Sequence, residues 1–472
     1  MAKFYPVAMA TAMACALPHV SHAQSRDELT DFRNQIQRIK EEYETRIEAL
    51  EKRFAEAEAK RAQAEQNAKA ARAKAVGAQR SDAAASQQER QNAFNPAVSL
   101  IMQGRNANLS QSPDTYRIGG FMPAGVEGPG PRGLSLAETE LAISAAVDPY
   151  FSGHFTGVLA PEGGFAVENA YFQTTAVGRG FTLKGGRYFS EIGYLNKQHQ
   201  HSWDFIDAPL PYRVFLGGQL GNDGVQIKWI APTDVLLAFG AEAANGRSFP
   251  GGEHNRNSPR LTSFFGHVGG DLGASHSWRT GLSYLQAAPD ARRYQDLDST
   301  KVGVTNSFAG RSKLWIADFV WKWAPEGNPT RRNVKFQAEY ILRDEDGRLT
   351  FDTDAASAGP LPGSYSSRQR GWYAQATYQF MPRWRLGARY DRVDSGTPRI
   401  GQVTDGALAA ADFPALASHR PTIAATMVDW SPSEFSRLRL QYARDRSRPD
   451  AIDHQVFLQY IMSFGAHGAH AW

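Results

Sequence analysis

The chain ends on a run that alternates in polarity, Gln455-Val456-Phe457-Leu458-Gln459-Tyr460-Ile461-Met462-Ser463-Phe464. Val456, Leu458, Tyr460, Met462 and Phe464 share one face, and Gln455, Gln459 and Ser463 share the other, with Phe457 and Ile461 as exceptions. A period of two is the repeat of a β-strand, whose successive side chains point to opposite faces. A second alternating run begins at Ala424 and meets the last one across Ser431-Pro432-Ser433-Glu434. Strands of about ten residues with one apolar face, aromatic residues near its ends and tight turns are the signature of a transmembrane β-barrel. The rest of the chain reads as copies of this unit preceded by an export signal and a stalk.

Hydrophobic residues make up 42% of the 472, and no interior stretch is apolar enough to cross a bilayer as a helix. A barrel escapes that test, because only every second residue faces lipid. The 43 glycines, 17 tyrosines and 10 tryptophans suit tight strands and interfacial belts. A formal charge of +4 on a chain of this length gives no reason to expect nucleic acid, and no nucleic-acid motif is visible. Residues 1–23 read as a signal peptide: Lys3, an apolar run from Phe4 to Leu17, and the small-x-small site Ser21-His22-Ala23. The only cysteine, Cys15, lies inside it, and Ala12-Met13-Ala14-Cys15 lacks the leucine of a lipoprotein box. The mature chain is therefore expected to hold no thiol and no disulfide.

Apolar residues at Leu29, Phe32, Ile36, Ile39, Tyr43, Ile47, Leu50, Phe54 and Ala57 follow heptad spacing with one stutter, and charged residues such as Lys40, Glu41, Glu44, Arg46, Glu48 and Lys52 fill the gaps. Residues 24–60 are read as an α-helical coiled coil. Isoleucine at the adjacent core positions Ile36 and Ile39 points to three strands, hence a homotrimer. Residues 61–93, rich in Ala and Gln, read as a helical extension or linker. Continuous helix from Asp27 to Arg90 would reach on the order of 90 Å, a stalk able to touch the cell wall.

Residues 94–472 are read as an antiparallel β-barrel of about 16 strands, centred near Ile101, Ile143, Phe155, Tyr171, Leu183, Ile227, Leu237, Phe265, Leu282, Ala317, Phe336, Ala376, Leu386, Ala425, Leu440 and Tyr460. Tight turns at residues 148–150, 178–180, 231–234, 272–275, 381–383 and 431–434 join even strands to odd ones. Longer stretches lie between them: Arg105–Gly133, Ser190–Asn222, Asn245–Pro259, Pro289–Gly310, Asp344–Arg370 and Ser395–His419. Short turns on one side and long loops on the other describe an outer-membrane barrel, with both termini and the stalk in the periplasm. A soluble sandwich explains the alternation but not the signal, the turn rhythm and the aromatic ends together.

The same parity sorts the charges. Lys or Arg facing mid-bilayer lipid costs roughly 2–4 kcal/mol. Lys228, Arg279, Lys335, Glu339, Arg343, Arg385, Arg389, Arg437 and Arg439 are therefore assigned to the lumen. The basic excess predicts a mild preference for anions, tempered by Glu138, Glu140 and Glu168 in the N-terminal half. Ser190–Asn222 carries Trp203, Phe205, Ile206, Leu210, Tyr212, Val214, Phe215 and Leu216, an apolar surface ill suited to an external loop, while Pro209 and Pro211 stiffen it. It is expected to fold inward and carry His199, His201, Asp204, Asp207 and Arg213 to the constriction, with conductance changing between about pH 5 and 8 as the histidines titrate.

The strand Phe181-Thr182-Leu183-Lys184-Gly185-Gly186-Arg187-Tyr188-Phe189, followed by Gly193, resembles the strand that ends in Gly-Arg or Gly-Gln before the pore loop of bacterial porins. The likeness is nearest to the sixteen-stranded, trimeric phosphate-selective porin O and P family, and covers residues 94–472 in architecture. The stalk resembles the coiled coils of some sugar porins. The family's lysine-rich phosphate ladder has no counterpart here. The resemblance implies a channel for passive diffusion of small hydrophilic solutes.

Other chemistries fit less well. His201 and Asp204 are neighbours, but neither a nucleophile elbow nor a paired-acid motif accompanies them, so no enzyme is expected. No cofactor is expected. Residues 24–93 are too polar and helical to be the plug of an energy-coupled receptor. His199-Gln200-His201 and His467-Gly468-Ala469-His470 are candidate metal ligands, although the reading favours polar loop residues over a metal site. A zinc-related uptake protein and a structural outer-membrane anchor with a periplasmic stalk are the alternative functions.

Overall fold

The computed structural model describes residues 96–465 apart from 126–127 and 161–162, together with seven helical residues between 37 and 52. The chain divides into two compact units, Met1–Ala93 and Phe94–Trp472. In the first, Gln37, Arg38, Glu41, Glu44, Thr45, Glu48 and Lys52 are helical and exposed. The signal peptide, the heptad core residues, the linker at 61–93 and the histidines of the tail, His467 and His470, lie outside the described residues.

The second unit is one antiparallel sheet closed on itself. Its nineteen strand segments form sixteen wall strands, because three positions are each shared by two segments. Gly133–Leu136 and Thr139–Ala146 both pair with Ala97–Leu109. His276–Ala287 and Arg292–Leu297 share Gly303–Trp323, and Trp384–Asp394 and Arg399–Ile400 share Leu361–Met381. The first strand closes on the last, Asp453–Gly465, in a register that runs from Ser99 opposite Gly465 to Leu109 opposite Gln455. Closure leaves no edge with unpaired backbone groups.

The wall is inside out compared with a water-soluble sheet. Leu183, Val225, Ile227, Phe239, Phe264, Leu282, Trp315, Phe319, Leu440, Val456, Leu458 and Tyr460 all stand exposed on the outer face. The residues between them point inward and are buried, among them Gln226, Glu242, Ser263, Ser283, Asp318, Gln441 and Gln459. Phe457 and Ile461, the two exceptions in the last strand, are also inward and buried; Phe457 packs with Ala107 and Leu109 beside Ile206.

Connections on one side are short, the longest being 324–332. On the other side, two expected loops turn out to be mostly strand. Pro289–Gly310 contains Arg292–Leu297 and the start of Gly303–Trp323, while Asp344–Arg370 is largely the hairpin of Asn333–Phe351 with Leu361–Met381. Their charged, Gly- and Ser-rich composition reads as loop because both faces are polar or half-polar. The strands nevertheless continue, at 21, 19 and 21 residues, past the end of the apolar outer band. At about 3.3 Å per residue such strands exceed the thickness of a bilayer.

The outer band generates a prediction. Leu458→Arg should destabilise the barrel in lipid vesicles by about 2–4 kcal/mol, read as a lower urea midpoint of the folded fraction. An unchanged midpoint would show that this face does not meet hydrocarbon.

Candidate functional site

Residues 190–220 leave the wall after Phe189 and run inside the barrel. The segment opens on Gly193, whose backbone is left-handed (φ +63°) and where an added Cβ would lie 2.3 Å from Glu339 Oε2. It then makes a single turn at Gln200–Ser202 and a short helix at Leu210–Leu216. Pro209 and Pro211 set the start of that helix, where a missing N–H costs nothing. Gly217, also left-handed, closes it with its N–H on Tyr212 O. All seven helical residues are buried.

Burial is achieved by packing the loop against the inner wall. Leu210, Tyr212, Val214, Phe215 and Leu216 join one apolar cluster with Leu285, Leu314, Ile316, Ile341, Tyr373, Val393, Ile423 and Met427. Phe121, from the preceding long connection, meets Phe215 edge to face at 5.8 Å between ring centres. Each large apolar side chain removed from water contributes roughly 1.5–3 kcal/mol. Buried ion pairs come close to break-even once desolvation is counted. The apolar face therefore holds the loop in place, and the polar contacts fix its position.

Those polar contacts converge on the nine wall residues assigned to the lumen. Glu339 is the centre: its carboxylate accepts from the Tyr194 N–H at 3.2 Å, the Leu195 N–H at 3.1 Å, the Tyr212 hydroxyl at 2.8 Å and the Tyr373 hydroxyl at 2.6 Å. Lys228 Nζ donates to Glu191 at 2.9 Å, and Arg279 donates to the Gly193 carbonyl at 2.9 Å. Lys335 and Arg385 donate to the two oxygens of Asp204, at 2.8 and 3.1 Å. Arg389 bonds Asp207 at 2.8 Å, and Arg439 bonds the Trp203 carbonyl at 3.0 Å. Arg343 reaches the Val214 carbonyl and Arg437 the His201 carbonyl. All nine face inward and touch the loop. Glu339, Arg343, Arg389 and Arg439 are nearly or fully buried by it, so they are covered by protein and do not line water.

The five loop residues split into two groups. Asp204, Asp207 and Arg213 belong to the seat. Arg213 donates to the Tyr116 hydroxyl at 2.7 Å, lies over its ring, and stands 3.9 Å from Asp207. Burial alone would raise the Asp204 and Asp207 carboxyls, but Lys335 and Arg385 around the first, and Arg389 and Arg213 around the second, hold both below the ordinary range. His199 and His201 lie on the other side, against Glu140 of Thr139–Ala146 and Glu168 of Phe165–Thr174. His201 Nδ1 is 2.8 Å from Glu140 Oε1; His199 Nδ1 is 3.2 Å from Glu140 Oε2 and 2.7 Å from Glu168 Oε2.

His201 and Asp204, neighbours in the sequence, bond different parts of the wall, Glu140 for the first and Lys335 with Arg385 for the second. One expectation changes here. Burial disfavours the His199 imidazolium, but the neighbouring Glu140 and Glu168 carboxylates outweigh it and lift the group to about 10. A response between pH 5 and 8 from His199 therefore does not follow. Sequence reasoning also missed the Tyr212–Glu339–Tyr373 set and Tyr116. The one available signal was a tyrosine hydroxyl placed inside an otherwise apolar run, which when buried needs a partner.

Seating of the loop should respond to packing and to acid. Phe215→Ala should cost about 3–5 kcal/mol and open residues 190–220 to thermolysin while the barrel stays intact. Depressed carboxyls stabilise the seat above the ordinary carboxylate range, near 3.9 for Asp, and lose that contribution only as pH falls through their lower folded values. Cleavage of the parent loop should accordingly be flat from pH 8 to 5 and rise only in stronger acid. A rise already at pH 6 would show that these pairs do not hold the loop.

No family model matches the chain. Among solved structures it is similar in fold to OmpTdeltaL8, a loop-deletion mutant of an outer membrane protein of Vibrio cholerae, at 11% identity and a TM-score of 0.49, over 79% of this chain and 100% of that one. Similarity to the outer membrane channel DcaP of Acinetobacter baumannii is 12% in identity with a TM-score of 0.44, covering 78% and 97%. An anion-selective porin from Comamonas acidovorans gives 10% and 0.46, covering 79% and 100%. In sequence the chain is 30% identical over 409 residues to an uncharacterized protein of Aquifex aeolicus (strain VF5), covering 80% of each. The chain belongs to the family of that Aquifex aeolicus protein.

Proposed function

We propose that the protein is an outer-membrane channel for passive diffusion of small hydrophilic solutes with a mild preference for anions. The observation that carries this reading is the inside-out closed wall around an inner surface of charged side chains. Export fits the signal-like residues 1–23, and short turns on one side with long loops on the other support the short-turn side as periplasmic. The finer kinship to phosphate-selective porins rests on Gly185-Gly186-Arg187 and the inward loop that follows them. A homotrimer, registered by a coiled coil over 24–60, follows from the Ile36 and Ile39 spacing, and a stalk of this length would stand in the periplasm facing the cell wall.

The anion preference has a local basis. Inward basic residues crowd the short-turn end: Lys184, Lys228, Arg279, Lys335, Arg385 and Arg437 each sit within a few residues of a strand end there. Glu191 stands among Lys184, Lys197 and Lys228, at 3.6, 3.8 and 2.9 Å, with the buried Glu242 carboxylate on the Glu191 N–H. Two carboxylates against three ammonium groups leave a net positive field, and Lys197 keeps 44% of its side chain exposed to receive an anion. Basic linings of this kind favour anions in a pore.

Planar-bilayer recording of the purified full chain tests both parts. Discrete conductance steps are expected, with a reversal potential in a KCl gradient on the chloride side. Lys197→Glu should move that potential toward potassium, because the residue is exposed and outside the packed seat. Absence of channels with correctly folded protein would leave the barrel as an anchor; cation selectivity of the parent would remove the anion assignment.

A further inference from the structure

We propose that Glu140, Glu168 and His199 form a binding site for a divalent first-row transition-metal ion, for which Zn²⁺ is the probe. The three ligand atoms, one from each side chain, all lie within 4.8 Å of one another. They come from three separate parts of the chain: two wall strands and the inward loop. Tetrahedral zinc, with bonds near 2.0–2.1 Å, sets its ligand atoms about 3.3 Å apart. His199 Nδ1 is already 3.2 Å from Glu140 Oε2 and 2.7 Å from Glu168 Oε2. The first pair is already at that spacing, the second must open by about 0.6 Å, and the two carboxylate oxygens, within 4.8 Å of each other, are near enough to close on one ion.

The contacts within the group differ from those of an ordinary ion pair. Glu168 Oε2 and His199 Nδ1 are buried, and neither makes an aligned hydrogen bond to any protein atom despite their close approach. Close atoms that make no aligned bond to one another, all within 4.8 Å, are near enough to share one ion. Imidazole beside carboxylate suits borderline ions such as Zn²⁺ over Mg²⁺ or Ca²⁺, which take oxygen alone. Glu140 is held from behind, as His201 Nδ1 bonds its other oxygen at 2.8 Å. An outer partner of this kind orients a ligating carboxylate. His199 Nε2 lies 3.2 Å from Asn169 Nδ2. When Nδ1 ligates, the ring proton sits on Nε2 and the Asn169 carboxamide turns to accept it, a change that gives up the long 3.3 Å contact from the Phe189 N–H. Access is available, because His199 and Asn169 border a cavity of about 210 Å³ also lined by Ser99, Ala142, Ser144 and Thr156. Glu140 is only 2% exposed and His199 28%, so the ion would be enclosed by protein with one side open for water or solute.

Equilibrium dialysis of the full chain in detergent micelles against Zn²⁺, with metal counted by mass spectrometry, tests the site. His467→Ala/His470→Ala is the background, which removes the tail imidazoles as a second source of binding. One Zn²⁺ per chain is expected. Glu168→Gln and His199→Ala should each weaken binding by 100-fold or more, His201→Ala by about 10–100-fold, and millimolar Mg²⁺ should not displace the ion. Heat-modifiable gel mobility reports that each variant still folds; if His199→Ala does not, Glu168→Gln, which keeps shape and volume, decides. Sub-stoichiometric zinc in the background protein, or full binding in Glu168→Gln, overturns the assignment. Conductance is measured separately, so failure of the channel reading and failure of this one are distinguishable.

Discussion

Closure of the sheet is the constraint on which the rest depends. Once Ala97–Leu109 pairs with Asp453–Gly465, each wall strand has a neighbour on both sides and backbone polarity is satisfied within the wall. That condition permits an outer face made of Leu, Phe, Trp and Tyr, because no strand edge is left exposed. It also forces every second residue inward regardless of its chemistry. Gln, Glu, Asp and Arg then face a confined interior, where each must find a partner or water.

The inward loop supplies those partners. Its apolar helix covers one sector of the wall and forms with it the largest apolar cluster among the described residues. Covering that sector buries Arg343, Arg389, Arg439 and Glu339, and the loop meets each with a carbonyl, a carboxylate, an N–H or a hydroxyl. Glu339 is the most demanding of these groups, with four donors on one carboxylate. Gly193 explains how the chain approaches it so closely: a Cβ there would overlap the carboxylate, and the left-handed backbone would strain any other residue. The loop thus acts as the core that a barrel of this width otherwise lacks. At the margin of the loop the charges stay partly solvated, at Lys197, Lys228, Lys335 and Arg385.

The amphipathic division of labour has a consequence for specificity. Hydrophobic contact alone would allow the loop to slide along the wall, since Leu and Phe surfaces are exchangeable at modest cost. Paired charges do not slide. Asp204 between Lys335 and Arg385, and Asp207 between Arg389 and Gln441, each have one position where both partners are met. That placement brings His199 and His201 to Glu140 and Glu168 on the opposite sector. One segment therefore joins a buried seat to a half-open cluster of carboxylates and imidazoles.

The sequence by itself determined the strand count, the orientation of each strand's faces and the inward course of residues 190–220. Each is a local property, carried by a period of two, by turn residues and by an apolar run too long and too stiff for an external loop. Which face of a strand a charge occupies is legible for the same reason, because parity along a strand does not depend on what lies across the barrel. Strand ends beyond the apolar band were not legible, since Asp344–Arg370 has the composition of a loop and is held in strand by its hairpin partner. Only the tertiary structure decided which charges are covered and which remain wet, and that Asp204 serves Lys335 and Arg385 while His201 serves Glu140. Those pairings join residues separated by 131, 181 and 61 positions. Nothing in their local sequence records such distances; the curvature of the closed wall and the fit of one loop inside it do.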